Sequence, residues 1–338
     1  MNKMGWFVLF AGMVLVAVVP TALAAKGGGG GKPGGGGGDG IADADVAVLY
    51  QDDFALGSLW KGDGLGNVER ATTFRVHGAS FGPAGTTRMA FSSDDLGQGV
   101  WVVDDFAGNG LRKVVDLENL RTETSWSNGS DTLLKEELIA YIDKDPDPAA
   151  GNPYQLFVTT LSGERTQLTF GWAQKANPCW NPANRSQLLL TKHGGYGDMW
   201  LLDLELDATG TLVIKDYENV VDLKAGTLLE GIGVLDASFS PDGTKIVFAA
   251  LDPRDGDDYR DIWVYVIASG ELTNLTESHP GFDRRACCIL ADGRVLFTGA
   301  NGDTKNKMKL FVMDADGRNV EPYGGSKGQQ QWTPVTRP

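Results

Sequence analysis

Polar and apolar positions along this chain fall into strand-sized runs separated by tight turns. The clearest example is residues 236–250, DASFSPDGTKIVFAA. A short strand ends on an aromatic, Phe239, then comes a Ser-Pro-Asp-Gly turn, then a second strand. Pro241 presets φ for the first central turn position, and Asp242 and Gly243 tolerate positive φ. Alternation of polar and apolar residues through residues 245–249 predicts the second strand.

The unit recurs, and the recurrence defines the expected fold. The residue before each turn is Phe81 in SFGPAG, Trp126 in SWSNGS, Trp180 in CWNPAN, Phe239 in SFSPDG, Ile289 in CILADG and Trp332 in QWTPVT. These anchors stand 43–59 residues apart, the period of a four-stranded propeller blade. Second strands are predicted at 88–92, 137–142, 187–191, 245–249 and 294–298. Third strands carry Trp101, Phe157, Trp200, Trp263 and Phe311, whose rings are read as packing between neighbouring blades. Fourth strands are clearest at 165–170 (RTQLTF) and 271–276 (ELTNLT).

The two ends complement each other. Before the Phe81 unit lie a second-type strand (46–50), a third-type strand with Trp60 and a fourth (68–73), with no first strand. Residues 330–334 form a first strand with nothing after it. The expected fold is therefore all-β, a six-bladed propeller of four-stranded blades closed one-plus-three, which removes an exposed sheet edge.

The S-F-S-P-D-G turn, the I-V-F strand, the I-W-V-Y strand and the L-T-N-L-T ending resemble the repeats of the TolB-like propeller family. The resemblance runs over about residues 45–335 and is strongest around Phe239. It implies the fold. The family's namesake carries an α/β domain before its propeller, whereas here a Gly-rich stretch leads straight into the first strand. Membership of that protein's envelope system is accordingly not carried over.

The N-terminus reads as a targeting segment: Lys3, an apolar run over residues 6–19, then Ala22-Leu23-Ala24 as a small-residue cleavage pattern. The run is short for a spanning helix, so cleavage after Ala24 is expected, with no membrane span in the mature chain. No Cys follows it, so no lipoprotein anchor is expected. The expected organisation is a signal peptide (1–24), a flexible Gly-rich linker (25–44) and the propeller (45–338), in a periplasmic or secreted protein. Only Cys179, Cys287 and Cys288 occur, so no disulfide scaffold is present. The two adjacent cysteines could form a strained vicinal disulfide, but buried apolar thiols are the simpler expectation.

A net charge of −14 argues against nucleic acid or an anionic membrane as partner. It suits cations and basic proteins. Loops joining second to third strands carry Asp52-Asp53, Asp94-Asp95, Asp143, Asp145, Asp147 and Asp252, Asp255, Asp257, Asp258, the last group partly offset by Arg254 and Arg260. Another such loop is basic, with Lys305, Lys307 and Lys309. One face of the ring should be acidic with a basic sector.

The run DKDPDPAAGNP (143–153) begins like a calcium loop but has Pro148 where the glycine belongs and Tyr154 where the bidentate glutamate belongs. That excludes an EF-hand and leaves a hard cation, calcium by preference, on Asp143, Asp145 and Asp147 or on Asp252, Asp255 and Asp257. The alternative is solvated loop acids. His77, His193 and His279 are expected on the same face, where imidazoles with carboxylates hold transition metals in some pectic-oligosaccharide lyases of propeller fold. Gly78-Ala79-Ser80-Phe81-Gly82 matches a nucleophile elbow, but the repeat places Ser80 inside a first strand with no helix after it, so no catalytic serine is expected. The leading reading is a binding module for an envelope or extracellular protein, peptide or glycan, monomeric and without catalysis. A metal-assisted polysaccharide lyase or hydrolase with its site at the channel mouth is the alternative.

Overall fold

The regular elements are all β-strands. The structure, a computed structural model, describes residues 41–336 apart from 43–44, 52–56, 119–121, 130–133, 146–153, 171–175, 193–198, 221–232, 252–258, 278–281, 302–307 and 325–331. The chain divides into Met1–Asp39, outside the described residues, and Gly40–Pro338, which holds the fold.

Strands β1 (Val46–Gln51), β2 (Gly57–Asp63), β3 (Val68–Phe81), β4 (Met89–Ser92), β5 (Val100–Val103) and β6 (Arg112–Val115) join β23 (Trp332–Thr336) in one seven-stranded sheet, ordered β23-β1-β2-β3-β4-β5-β6. The 14-residue β3 is the last strand of one four-stranded ladder and the first of the next. The remaining sheets have four strands each. They are β7 (Thr124–Trp126), β8 (Leu138–Lys144), β9 (Tyr154–Thr160) and β10 (Arg165–Gln167); β11 (Ala176–Trp180), β12 (Gln187–Lys192), β13 (Met199–Leu206) and β14 (Leu212–Asn219); β15 (Val234–Phe239), β16 (Lys245–Leu251), β17 (Arg260–Val266) and β18 (Glu271–Asn274); and β19 (Phe282–Ile289), β20 (Val295–Asn301), β21 (Lys309–Met313) and β22 (Glu321–Pro322). All pairings are antiparallel.

The inner strands lie side by side in the order β3, β7, β11, β15, β19, β23 and back to β3. They make a propeller ring. The expected closure is present: β23 pairs antiparallel with β1, Leu49 opposite Val335 and Val48 opposite Thr336. A second staple, at the rim, ties the last sheet to the turn between β2 and β3. Tyr323 OH donates to the Asp63 carbonyl, and Arg294 Nη2 donates to the Gly64 carbonyl at 2.6 Å.

The sequence pattern needs two corrections. Residues 68–73 and the Phe81 strand are one element, because Phe74-Arg75-Val76-His77 continues the strand until Gly78. There β3 bulges between His77 and Ser80, with Gly78 at φ 57°. A Cβ at Gly78 would collide with the Glu123 backbone, so glycine is required by both conformation and space. The second strands, moreover, do not alternate. Ile246, Val247, Phe248, Ala249 and Ala250 are all fully buried. Ile246, Phe248 and Ala250 pack toward β12 and β13, while Val247 and Ala249 pack toward β19–β21. A blade's middle strands have a neighbouring blade on each face, so both faces are apolar.

Pairs of large residues, aromatic in all ladders but one, mark the register within each ladder. Each third-strand ring stands directly opposite a large second-strand residue: Tyr50–Trp60, Phe91–Trp101, Tyr141–Phe157, Leu190–Trp200, Phe248–Trp263 and Phe297–Phe311. Three of these are stacked with centroids 5.8–6.3 Å apart, each contributing roughly 0.2–1 kcal/mol. The L-T endings at Thr169 and Thr276 share one role with Thr72 inside β3. Thr72, Thr169 and Thr276 each use Oγ1 to accept the N–H of a third-strand residue: Leu59 (3.2 Å), Leu156 (2.9 Å) and Ile262 (3.1 Å). A hydroxyl thus takes the place of a ladder carbonyl where the fourth strand leaves the sheet after β10 and β18, and where β3 shifts register against β2.

Candidate binding channel

The inner strands carry a common register counted back from each anchor. Anchors Phe81, Trp126, Trp180, Phe239 and Ile289 are buried between sheets. One residue earlier stand Ser80, Ser125, Cys179, Ser238 and Cys288, and three earlier stand Gly78, Glu123, Asn177, Asp236 and Ala286. A cavity of about 130 Å³ runs along the axis of the ring, bounded by five of the inner strands. Its wall carries Glu123, Asn177 and Asp236 in one tier and the small hydroxyl and thiol residues in the next. Trp126, Trp180, Phe239, Pro182 and Pro241 line it toward the turns.

Polar bonds zip successive inner strands together. Thr124 Oγ1 donates to the Gly78 carbonyl at 2.6 Å and shares a hydrogen bond with Ser80 Oγ at 3.2 Å. The Trp180 N–H donates to Ser125 Oγ at 2.9 Å, and Ser238 Oγ donates to the Cys287 carbonyl at 2.9 Å. Asn177 Nδ2 donates to Asp236 Oδ1 at 2.7 Å. At the turn level, Asn128 accepts from the Ala84 N–H (2.9 Å) and donates to the Pro182 carbonyl (2.8 Å), which ties three blades. Small hydroxyl-bearing residues are used because they bond neighbouring backbones while leaving the axis open. Ser80, the centre of the elbow-like motif, lies inside β3 and is 8% exposed, where the repeat places it.

Asp236 adopts φ 49° in a bulge between Leu235 and Ser238. A non-glycine residue there is strained by about 1 kcal/mol or more, though Asp is among the residues that bear it best. The bulge turns its carboxylate to Asn177. His77 Nε2 lies 3.3 Å from Glu123 Oε1. It sits within β3 and not in a loop. His193 and His279 lie outside the described residues. Among the described residues, no group of three or more His, Cys, Asp or Glu is placed to hold a metal ion.

The cysteines are three free thiols. Burial pushes Cys179 up to about 11 and also raises Cys287 and Cys288. They stay protonated at neutral pH and act as small apolar wall residues.

Of the candidate cation ligands, Asp143 is fully buried in β8, not in a loop. Its Oδ2 pairs with Arg165 Nη2 at 3.1 Å and its Oδ1 accepts the Glu118 N–H at 3.0 Å. Arg165 also covers the Phe157 ring at 3.8 Å. Asp145 is half-buried just beyond the strand and faces Gln167 Nε2 at 3.3 Å. Asp147, Asp252, Asp255 and Asp257 lie outside the described residues. At the edge of the second acidic loop, Asp261 is 4% exposed and accepts from Thr276 Oγ1 (2.6 Å), Arg284 Nη1 (2.9 Å) and Asn274 Nδ2 (2.8 Å). The Glu123–Asn177–Asp236 tier was not singled out from the sequence. Its signal was the shared position three residues before each anchor.

The ring, its closure and its axial cavity define a β-propeller. No protein-family model matches the chain, and no curated protein matches it in sequence. Solved structures do match in fold. TolB from Acinetobacter baumannii superposes with a TM-score of 0.63 at 15% identity, over 88% of this chain and 68% of that one. A putative TolB from Agrobacterium tumefaciens gives 0.52 at 14%, over 84% and 90%. An oligogalacturonate lyase from Vibrio parahaemolyticus gives 0.51 at 14%, over 82% and 78%. At these identities the likeness concerns the fold. Among the described residues no helix is long and apolar enough to cross a membrane.

Proposed function

We propose that this chain is an exported six-bladed propeller, the seven-stranded sheet counting as two blades that share β3. It binds a protein, peptide or glycan through its acidic loop face and axial channel, without catalysis of its own. The observation that carries this reading is the preformed channel. Its walls are cross-linked strand to strand, and it presents Glu123, Asn177 and Asp236 together. A rigid concavity with a few convergent polar groups is what a selective binding site requires. The similarity to TolB structures supports a binding propeller, and residues 1–24 as a removable signal with 25–44 as a linker support a periplasmic or secreted location.

The test is a peptide and glycan array probed with the mature protein and with Glu123→Gln/Asp236→Asn. Asn tolerates the left-handed backbone at position 236, so the fold is preserved. Binders should be lost or weakened at least about tenfold, the scale of one charge-assisted hydrogen bond. Equal binding by the variant would sink the channel as the site.

A second reading has one observation behind it. His77 reaches Glu123, a residue of the channel wall, and one structural neighbour is an oligogalacturonate lyase in complex with manganese. A metal-assisted lyase or hydrolase would cleave polygalacturonate oligomers with added manganese, read as new absorbance from unsaturated ends. Calcium on the acidic loops is a separate proposal, with Asp145 and Asp147 on one loop and Asp252, Asp255 and Asp257 on another. Asp143 serves as the buried support of the first loop.

A further inference from the structure

The outer strands of the sheets are unequal. β6 and β18 have four residues, β10 three and β22 two. Short outer strands, and Pro322 in β22, protect a sheet edge from adding another chain. β14 departs from this. It has eight residues, matched by eight in β13, and ends its sheet. Lys215, Asp216, Tyr217 and Glu218 are all exposed, so the strand meets solvent on both faces. Among the described residues nothing pairs with its outer side.

The charges on this edge are incomplete. A bulge at Lys215 sets Asp216 directly opposite Asp203, both exposed. Like charges facing each other across a ladder are unfavourable. Among the described residues neither carboxylate is in an ion pair, and Lys215 reaches only Glu205, at 4.0 Å. Beside them Tyr217 is half exposed, edge-on to Trp200 at 5.5 Å.

We infer that β14 is a self-association edge, whose occupant is the β14 of a second copy of this chain, antiparallel about a twofold axis. The strand is complementary to itself in one register. Pairing Lys215 with its own copy, or Asp216 with its own copy, brings like charges together. Setting Lys215 opposite the second copy's Asp216 instead forms that pair twice. It adds a cation to each Asp203–Asp216 repulsion and places Ile214 opposite Tyr217 twice. The same register aligns Leu212 with Asn219, so the full length of both strands pairs. The twofold closes the edge, giving a dimer and not a fibre. Two eight-residue strands bury less than a standard interface, so the dimer is weak, in the micromolar range or above. The monomer expected from the sequence is then the dilute form.

Sedimentation velocity on the mature chain, from about 1 to 500 µM at about 50 and 500 mM salt, tests this. The wild type should dimerise with concentration and more weakly at high salt. Lys215→Glu alone and Asp216→Lys alone should each weaken association at least about tenfold, because each creates two like-charge contacts. Mixed one to one, the two variants should associate again. The glutamate introduced in one chain then meets the lysine introduced in the other, and the unchanged Asp216 meets the unchanged Lys215. Both positions are exposed, and equal melting temperatures confirm folding. A wild type that stays monomeric throughout, a dimer indifferent to both substitutions, or a mixture no better than the separate variants overturns the proposal.

Discussion

Single side chains at the loop ends are committed to the fold more than to solvent. Asp261 holds three donors on β18, β19 and the segment after β18, and Arg284 beside it is 3% exposed. Breaking a buried pair leaves an uncompensated charge, at about 3–5 kcal/mol. Asp261→Ala is expected to lower stability by that amount in urea unfolding, and Arg284→Met by a similar amount. A change below about 1 kcal/mol for both would show that water reaches the pair. The turn aspartates act together in acid. Asp242 accepts from Ser240 Oγ and the Thr244 N–H, and these bonds hold its carboxyl below the ordinary range; Asp207 is held low by Thr209 and Thr211 in the same manner. A depressed carboxyl contributes stability above its unfolded value of about 4, lost as pH falls through the lower folded value. The melting temperature should therefore drop steeply below pH about 4, and less steeply in Asp242→Asn/Asp207→Asn, whose amide oxygens still accept.

At the scale of strands, the ring depends on β23. It supplies an inner strand to a ladder whose other strands come from the opposite end of the chain. Deleting residues 329–338 would expose the inner edge of β1 beside Leu49, which is fully buried. Loss of a single cooperative transition, or aggregation, is expected by calorimetry. A truncated chain melting at the wild-type temperature would remove the strand from any structural role. The rim staple is milder. Tyr323→Phe loses one buried hydrogen bond and should cost about 1 kcal/mol with the transition still cooperative.

The whole molecule carries a net charge of −14, and its sequence clusters aspartates at 143–147 and 252–258. A divalent cation joining such carboxylates relieves repulsion and binds oxygen ligands in loose geometry. Millimolar calcium is expected to raise the melting temperature, with the gain shrinking in Asp145→Ala/Asp147→Ala. Asp143 is left intact because its pair with Arg165 would confound the result. If sodium chloride of equal ionic strength gives the same gain, the effect is screening and the cation site is withdrawn.

What the sequence determined by itself was the repeat: its anchors, its turns, the four-strand content of each unit and the closure by β23. These are set by local chemistry, namely Pro-Asp-Gly turns and aromatic positions that recur at a blade's spacing. It also indicated Ser80 as a strand residue, since register along a strand is countable. It could not show that second strands are buried on both faces, because that depends on a neighbouring blade contributed by residues some fifty positions away. Nor could it separate Asp143 from Asp145. Both look like loop acids until β8 and Arg165 enclose the first. The convergence of Glu123, Asn177 and Asp236 was decided only by the tertiary structure. Asn177 and Asp236 lie in two different inner strands and Glu123 directly before a third, and only closing the ring brings them to one axis.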